Sequence, residues 1–392
     1  MVAYNAEIAQ RFFYADYRGI AGSANDEHVA SFPADRIYVT PRLHTESELR
    51  QEREQEQDLQ RRIEAAEDLD EHERQRVEDE IAALRHSRWA GHREETADED
   101  GRPIGEALIS ARHCVILGPP GVGKSALTRH LARTCALGPE AIRERLGWDE
   151  SLCPILLPLA AYAEARRQRP DLSLSTYLQE SLRERHGTAV QQAVAEAMQG
   201  GDVIVLLDGV DEVPEETDRL SVVRAVDTFL SEHKRARCIV TSRPAGYFRL
   251  AGHIPQFELR NFSPSQVREF VVNWQKAFEE RRHPEHPDFA RAEAEAEQML
   301  KEIESHPRVA ALARNPLMLV VVALIRHHQL RLPQRRVELY QLAVRMLLGF
   351  DRNPASIAAA QVSPWNVFYR YGLGWQSGCG ASNRRASSTA LT

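Results

Sequence analysis

The sequence predicts an α/β fold, a mainly parallel sheet covered by helices, followed by a separate helical domain. Three observations predict it. Between residues 104 and 260, short apolar runs alternate with amphipathic stretches at helical spacing, as buried strands and their crossover helices do. A glycine-rich turn follows the first of those runs and leads straight into a helix. After Arg260 the period becomes helical throughout.

Taken in order, residues 1–45 read as a lead-in rich in aromatic residues. Within it, Arg36-Ile37-Tyr38-Val39-Thr40 predicts a short strand ended by Pro41, which has no ladder donor. Residues 46–103 are a charged segment and a loop. Leu59, Ile63, Val77, Ile81 and Leu84 recur there at helical spacing among Glu, Arg and Gln, predicting a solvated helical hairpin or one charged helix. Docking of a partner on this segment is the functional alternative. In the α/β region, 104–260, strands are predicted at 114–117, 154–157, 203–207 and 237–241. Leu174, Leu178 and Leu182, then Val190, Val194 and Met198, recur every fourth residue and form helix faces that bury on a sheet. Gly200 and Gly201 stop the second of these helices. The helical domain, 261–332, opens on Ser263-Pro264-Ser265-Gln266, a capping box with proline at the first helical position. Further helices are predicted at 292–304 and 317–328, and another at 337–348 within a region spanning 333–376. Residues 377–392 are too polar to add to a core and read as a disordered tail.

Composition excludes several classes. A net charge of -7 gives no electrostatic footprint for a dedicated nucleic-acid binder. The five cysteines are widely spaced, with no C-x-x-C pair, and read as reduced thiols of a cytoplasmic protein. The N-terminus lacks the apolar stretch of a signal peptide, and the longest apolar run, 317–325, is too short for a membrane span. Lys124, Lys234, Lys276 and Lys301 are the only lysines among the 50 basic residues, so a chance match to a lysine-bearing motif is rare.

Gly118-Pro119-Pro120-Gly121-Val122-Gly123-Lys124-Ser125 makes such a match, G-x-x-x-x-G-K-[ST], between a predicted strand and a predicted helix. By residue frequencies, chance supplies this match in roughly one chain in a thousand. A triphosphate is a dense anion, held by converging backbone N–H groups and the positive end of a helix; side chains would block that approach. The loop from Gly118 through Ser125, with Ala126 in the helical turn that follows, is therefore a nucleotide-binding candidate. Lys124 reaches the β- and γ-phosphates, and the Ser125 hydroxyl ligates Mg²⁺. A second apolar run, Val203 to Leu207, delivers Asp208 at its C-terminal end, where ligands sit in open α/β sheets, and Asp208 is the second Mg²⁺-side group. Asp211 and Glu212 follow. Glu212 is the first choice for orienting or deprotonating an attacking water and Asp211 the second. A third run ends in Thr241-Ser242-Arg243-Pro244, where Arg243 is either a γ-phosphate sensor or an arginine in solvent.

GPPGVGKS, VLLDGVDEV and VTSRPAGY, in that order, resemble the Walker A, Walker B and sensor motifs of NACHT-domain proteins of the STAND class of P-loop NTPases. The Asp208-Gly209-Val210-Asp211-Glu212 run is the most discriminating of these. Residues 154–159 resemble the family's second strand. Arg314-Asn315-Pro316-Leu317-Met318-Leu319 is similar to its proline-bearing segment, in which Pro316 would contact the nucleotide, and the region from Leu332 resembles the start of a winged-helix domain. The resemblance covers about 104–350. It implies a three-layer α/β/α P-loop domain and a sensor role for Arg243. It also implies a slowly hydrolysing ATP/ADP switch, self-association on activation, and an unknown trigger ligand and effector, often in bacterial antiviral defence. The chain departs from the pattern by having no room for an effector domain before residue 104 and no sensor repeats after the winged-helix start, and the polar tail after Trp375 reads as the mark of a truncated or frame-shifted sequence. A hydrolysis-inactive scaffold is the alternative. A Ras-like GTPase is disfavoured because no lysine stands in an N-K-x-D motif, and a small kinase because the helical region is long.

Overall fold

The computed structural model describes residues 1–14, 32–45, 101–109, 111–244, 247, 249–250 and 254–327. The charged segment of 46–93, the predicted helix at 337–348, the winged-helix start and the polar tail lie outside the described residues.

The α/β region forms as the apolar runs require. Strands β3 (His113–Leu117), β4 (Cys153–Pro158), β5 (Val203–Asp208) and β6 (Arg237–Ser242) match the four predicted runs to within one residue at each end. Residues Val203 to Leu207 are all fully buried. Successive side chains of a strand point to opposite faces, so this burial means both faces of the sheet are covered.

The lead-in differs from expectation. Its residues form α1 (Val2–Arg11), a short helix α2 (Ala34–Ile37) and β1 (Arg42–Thr45). The strand expected over residues 36–40 is instead the end of α2 and an unpaired extended stretch, and the strand begins after Pro41. Pairing decides this: β1 needs a ladder, and it finds one where Leu43 lies opposite Leu259 of β7 (Gln256–Leu259), a strand the sequence reading missed. At the start of a strand Pro41 costs no ladder bond. The two-residue β2 (Arg102–Pro103) completes the sheet on the far side of β1.

The seven strands run β2-β1-β7-β3-β6-β5-β4. Those from β7 to β4 are parallel, while β1 runs antiparallel to both its neighbours. β6 therefore lies between β3, which leads into the glycine loop, and β5, which carries Asp208. Helices α3 (Ile104–Ile109), α4 (Lys124–Ala136), α5 (Pro139–Leu146), α6 (Leu159–Gln168), α7 (Leu174–His186), α8 (Thr188–Gly200) and α9 (Glu216–Glu232) connect and cover the strands. Gly201, in the left-handed region, ends α8 just before β5.

The helical domain holds α10 (Pro264–Arg282), α11 (Phe289–Glu304), α12 (Pro307–Ala313) and α13 (Pro316–His327). The capping box is present: the Ser263 hydroxyl accepts from the Gln266 amide, and the Gln266 side chain accepts from the Ser263 amide. Its core is separate from that of the sheet and recruits Phe32, Ile37 and Val39 from the lead-in, packed with Trp274 and Phe278. The lead-in thus bridges two bodies. Asp35 grips Arg133 of α4 at 3.0 Å and Arg145 of α5 at 3.0 Å, while Arg36 pairs with Glu280 of α10 at 3.5 Å. Tyr38 stacks on His130 of α4, ring centroids 3.7 Å apart.

Candidate functional site

Three strand ends meet at one edge of the sheet. The register places Leu117 beside Ser242 and Leu207 beside Val240, so Gly118, Ser242 and Asp208 emerge next to one another. At the usual strand spacing the loop and the Asp208 strand are about 10 Å apart, with β6 between them.

The glycine loop has the shape its sequence predicts. Gly121 and Gly123 take φ of 75° and 101°, so their N–H groups turn off the ordinary backbone path, and Gly123 caps α4 at Lys124. A Cβ built on Gly123 would meet nothing within 4 Å, so space beside the loop is open. Lys124 Nζ donates to the carbonyls of Gly118 at 2.8 Å and Pro119 at 3.2 Å. Burial lowers its pKa, Arg243 adding to the shift and Asp211, Asp208 and Glu212 opposing it. A partly desolvated ammonium gains more from a bound anion than a hydrated one. These residues fit a phosphate chain.

At the end of β5, Asp208 Oδ1 accepts from the Thr241 hydroxyl at 2.6 Å, and the Gly209 amide donates to that same hydroxyl at 2.9 Å. Thr241 is fully buried. It was not singled out from the sequence; the only signal was a polar residue closing an apolar strand. Gly209 has φ of 80°, and a Cβ there would lie 2.8 Å from the Glu212 Cδ, so only glycine lets the Glu212 carboxyl fold back against the turn. Glu212 stands at the rim of the site. Partial burial, then the charges of Asp208 and Asp211, push its pKa up.

Asp211 is differently placed. Its Oδ1 accepts from the Arg243 amide at 2.9 Å and its Oδ2 meets Arg243 Nε at 2.8 Å, with the Asp211 side chain only 8% exposed. Its two oxygens are committed to holding Arg243, which suits a positioning group better than a base. Arg243 is one-third exposed, so it is neither buried structure nor an arginine loose in solvent.

Ser125 and Ala126 lie in the first turn of α4. Among the described residues no three His, Cys, Asp or Glu side chains gather to hold a metal. A magnesium ion here would be held by Ser125, Asp208 and the nucleotide's own phosphates, a donor set that suits its preference for oxygen and retained water. Pro316 is brought to the loop from the helical domain. Its neighbours make the contacts: Asn315 Nδ2 donates to the Pro120 carbonyl at 3.0 Å, and the Leu317 amide to the Gly121 carbonyl at 3.1 Å.

A loop that turns its amides outward at a helix start, with a lysine above it and carboxylates on the next strand but one, defines a P-loop nucleotide-binding domain. The model of the NACHT domain family matches residues 112–277, and this stretch of the chain is similar to that family of nucleotide-binding NTPase modules. The match takes in both Asp208 and Arg243 and ends within α10. No curated protein matches the chain. Among solved structures, that of C. elegans PCH-2 is similar at 14% identity and a TM-score of 0.27, covering 58% of this chain and 64% of that one, a likeness too slight to bear on function. No helix among the described residues is long and apolar enough to cross a membrane.

Proposed function

We propose that the chain is an ATP/ADP-binding switch with slow, Mg²⁺-dependent hydrolysis, in which the γ-phosphate is the signal. The observation that carries this reading is the convergence of Lys124, Glu212 and the Asp211–Arg243 pair at one edge of the sheet, with the helical domain touching the same loop. Lys124 and the loop amides bind the phosphates. Magnesium, when bound, neutralises phosphate charge. Ser125 and Asp208 would hold it, and Thr241 fixes the Asp208 carboxylate in one orientation. Glu212 accepts or directs the proton of a water, its raised pKa making it a better base than an ordinary surface carboxylate. Arg243, aimed by Asp211, reads whether a third phosphate is present. A switch from 1:99 to 99:1 needs about 5.5 kcal/mol of differential binding, within reach of a lysine, a metal and an arginine acting on one phosphate. ATP over GTP, self-association on activation, a trigger ligand and a role in bacterial defence rest on the family resemblance.

The test is nucleotide binding and phosphate release for the wild type, Lys124→Ala and Glu212→Gln. Lys124→Ala should lose binding. Glu212→Gln should bind as well as the wild type and turn over at least about a hundredfold more slowly, the usual scale of a general-base contribution. Turnover unchanged in Glu212→Gln removes Glu212 from the reaction. Binding without turnover in the wild type favours the scaffold reading.

A further inference from the structure

We infer that Asn315 is a positioning residue through which the helical domain sets the direction of two phosphate-binding amides, so that nucleotide affinity depends on how α13 is docked. The inference rests on the nucleotide-binding reading above.

The contacts at Pro120 and Gly121 carry it. The Pro120 carbonyl accepts from Asn315 Nδ2 and the Gly121 carbonyl from the Leu317 amide. No described peptide bond is cis, so the C=O and N–H of each plane point in opposite directions. The Pro120 carbonyl shares its plane with the Gly121 N–H, and the Gly121 carbonyl with the Val122 N–H. With both carbonyls held against α13, both N–H groups are turned away from it. Among the described residues neither N–H has a hydrogen-bond acceptor, so both are presented as donors for an anion.

The fit between loop and helix is close. A Cβ on Gly121 would lie 2.7 Å from Asn315 Oδ1 and 3.0 Å from the Leu317 Cβ, and with φ of 75° as well the position admits only glycine without strain. The Asn315 amide is oriented by three partners: Nδ2 donates to Pro120 and, at 3.5 Å, to Asn261 Oδ1, while Oδ1 accepts from the Met318 amide at 3.3 Å in the first turn of α13. Serine or aspartate would cap the helix equally well, but aspartate has no donor, and the serine hydroxyl, one bond shorter than the Asn315 amide, does not reach the Pro120 carbonyl. Arg314 ties this corner to the rest of the helical domain, its carbonyl accepting from the Phe262 amide at 2.7 Å and its Nε donating to the Phe262 carbonyl at 3.0 Å. Movement of that domain therefore moves Asn315, and the two loop amides lose their fixed direction.

The test uses the full chain as wild type, Asn315→Ser and Asn315→Asp. ADP and a non-hydrolysable ATP analogue are titrated, and amide exchange at Leu317 is measured without nucleotide. Both variants keep an acceptor for the Met318 amide, so melting temperatures should stay close to wild type while the donor to Pro120 is lost. Losing one neutral hydrogen bond predicts affinity about fivefold weaker in Asn315→Ser, and weaker still in Asn315→Asp, whose carboxylate repels phosphate. Leu317 should exchange faster in both. Asn315→Ser affinity within about twofold of wild type overturns the proposal, whether or not Leu317 exchange rises. A wild-type chain that binds neither nucleotide overturns the functional reading and the coupling together, which separates that failure from the first.

Discussion

Replacing Thr241 with valine removes one hydroxyl and keeps the shape of the side chain. That hydroxyl is fully buried, donates to Asp208 and accepts from the Gly209 amide. Its loss leaves the Gly209 N–H, itself buried, without an acceptor, a cost of about 1–3 kcal/mol, and removes a charge-assisted bond of about 1.5–3 kcal/mol. Asp208 is only half-buried and recovers part of its loss from water, so the net cost is about 2–3 kcal/mol. Serine at the same place keeps both bonds and loses one buried methyl, about 1 kcal/mol. Urea-unfolding midpoints of the two variants, compared at equal slope, therefore order wild type above Thr241→Ser above Thr241→Val. Mg²⁺-dependent nucleotide affinity should follow the same order, because Thr241 aims the carboxylate. A valine variant as stable as the serine variant would refute the reasoning, since it would mean the hydroxyl satisfies nothing that water does not.

Asp35→Ala leaves the Arg133 guanidinium, 7% exposed, without its carboxylate; the expected loss is about 2 kcal/mol, below the roughly 3–5 of a fully buried pair because Asp35 itself is 26% exposed. Chemical unfolding measures it, and a neutral effect would mean the lead-in does not fasten the sheet domain. His130, stacked on Tyr38, has its pKa lowered to about 4 by burial, with the Arg145 charge adding to this, Asp35 opposing it and Arg133 lowering it further. The unfolded chain then takes up a proton that the folded one refuses between about pH 6.5 and 4, so stability falls as pH drops through that window, by on the order of 3 kcal/mol in all. His130→Phe should flatten this fall, which unfolding at pH 7 and pH 5 would show. Glu212 must be ionised to act as a base, so hydrolysis should be lost as pH falls through a pKa above the usual carboxylate range, and Glu212→Gln should remove that limb from the pH–rate profile.

The loop and the strands were legible in the sequence because their determinants are contiguous. Four apolar residues in a row followed by G-P-P-G-V-G-K-S leave the backbone few options, and β3, β5 and β6 formed where they were expected. The lead-in was misread because its determinants are distant. Arg36 to Thr40 has the composition of a strand, but Tyr38 finds His130 and Ile37 and Val39 find the helical core, leaving the ladder to the residues after Pro41. β7 went unseen for the same reason, since four residues make a strand only once β3 and β1 are there to pair with them. Asp211 and Glu212 could be ranked from sequence but not separated in role. Only the two contacts to Arg243, from its amide at 2.9 Å and its Nε at 2.8 Å, give Asp211 its partner.

The sequence alone determined that a P-loop leads into a helix and that Asp208, Asp211 and Glu212 follow a buried strand, because backbone conformation and the position of a residue at a strand end are local properties. The tertiary structure decided which groups share the site. Sheet order put β6 between the loop and Asp208, so that Thr241 and Arg243 joined them, and packing brought Asn315 to Pro120 across 195 positions of chain. Such contacts depend on how layers stack, and no spacing within the sequence encodes that distance.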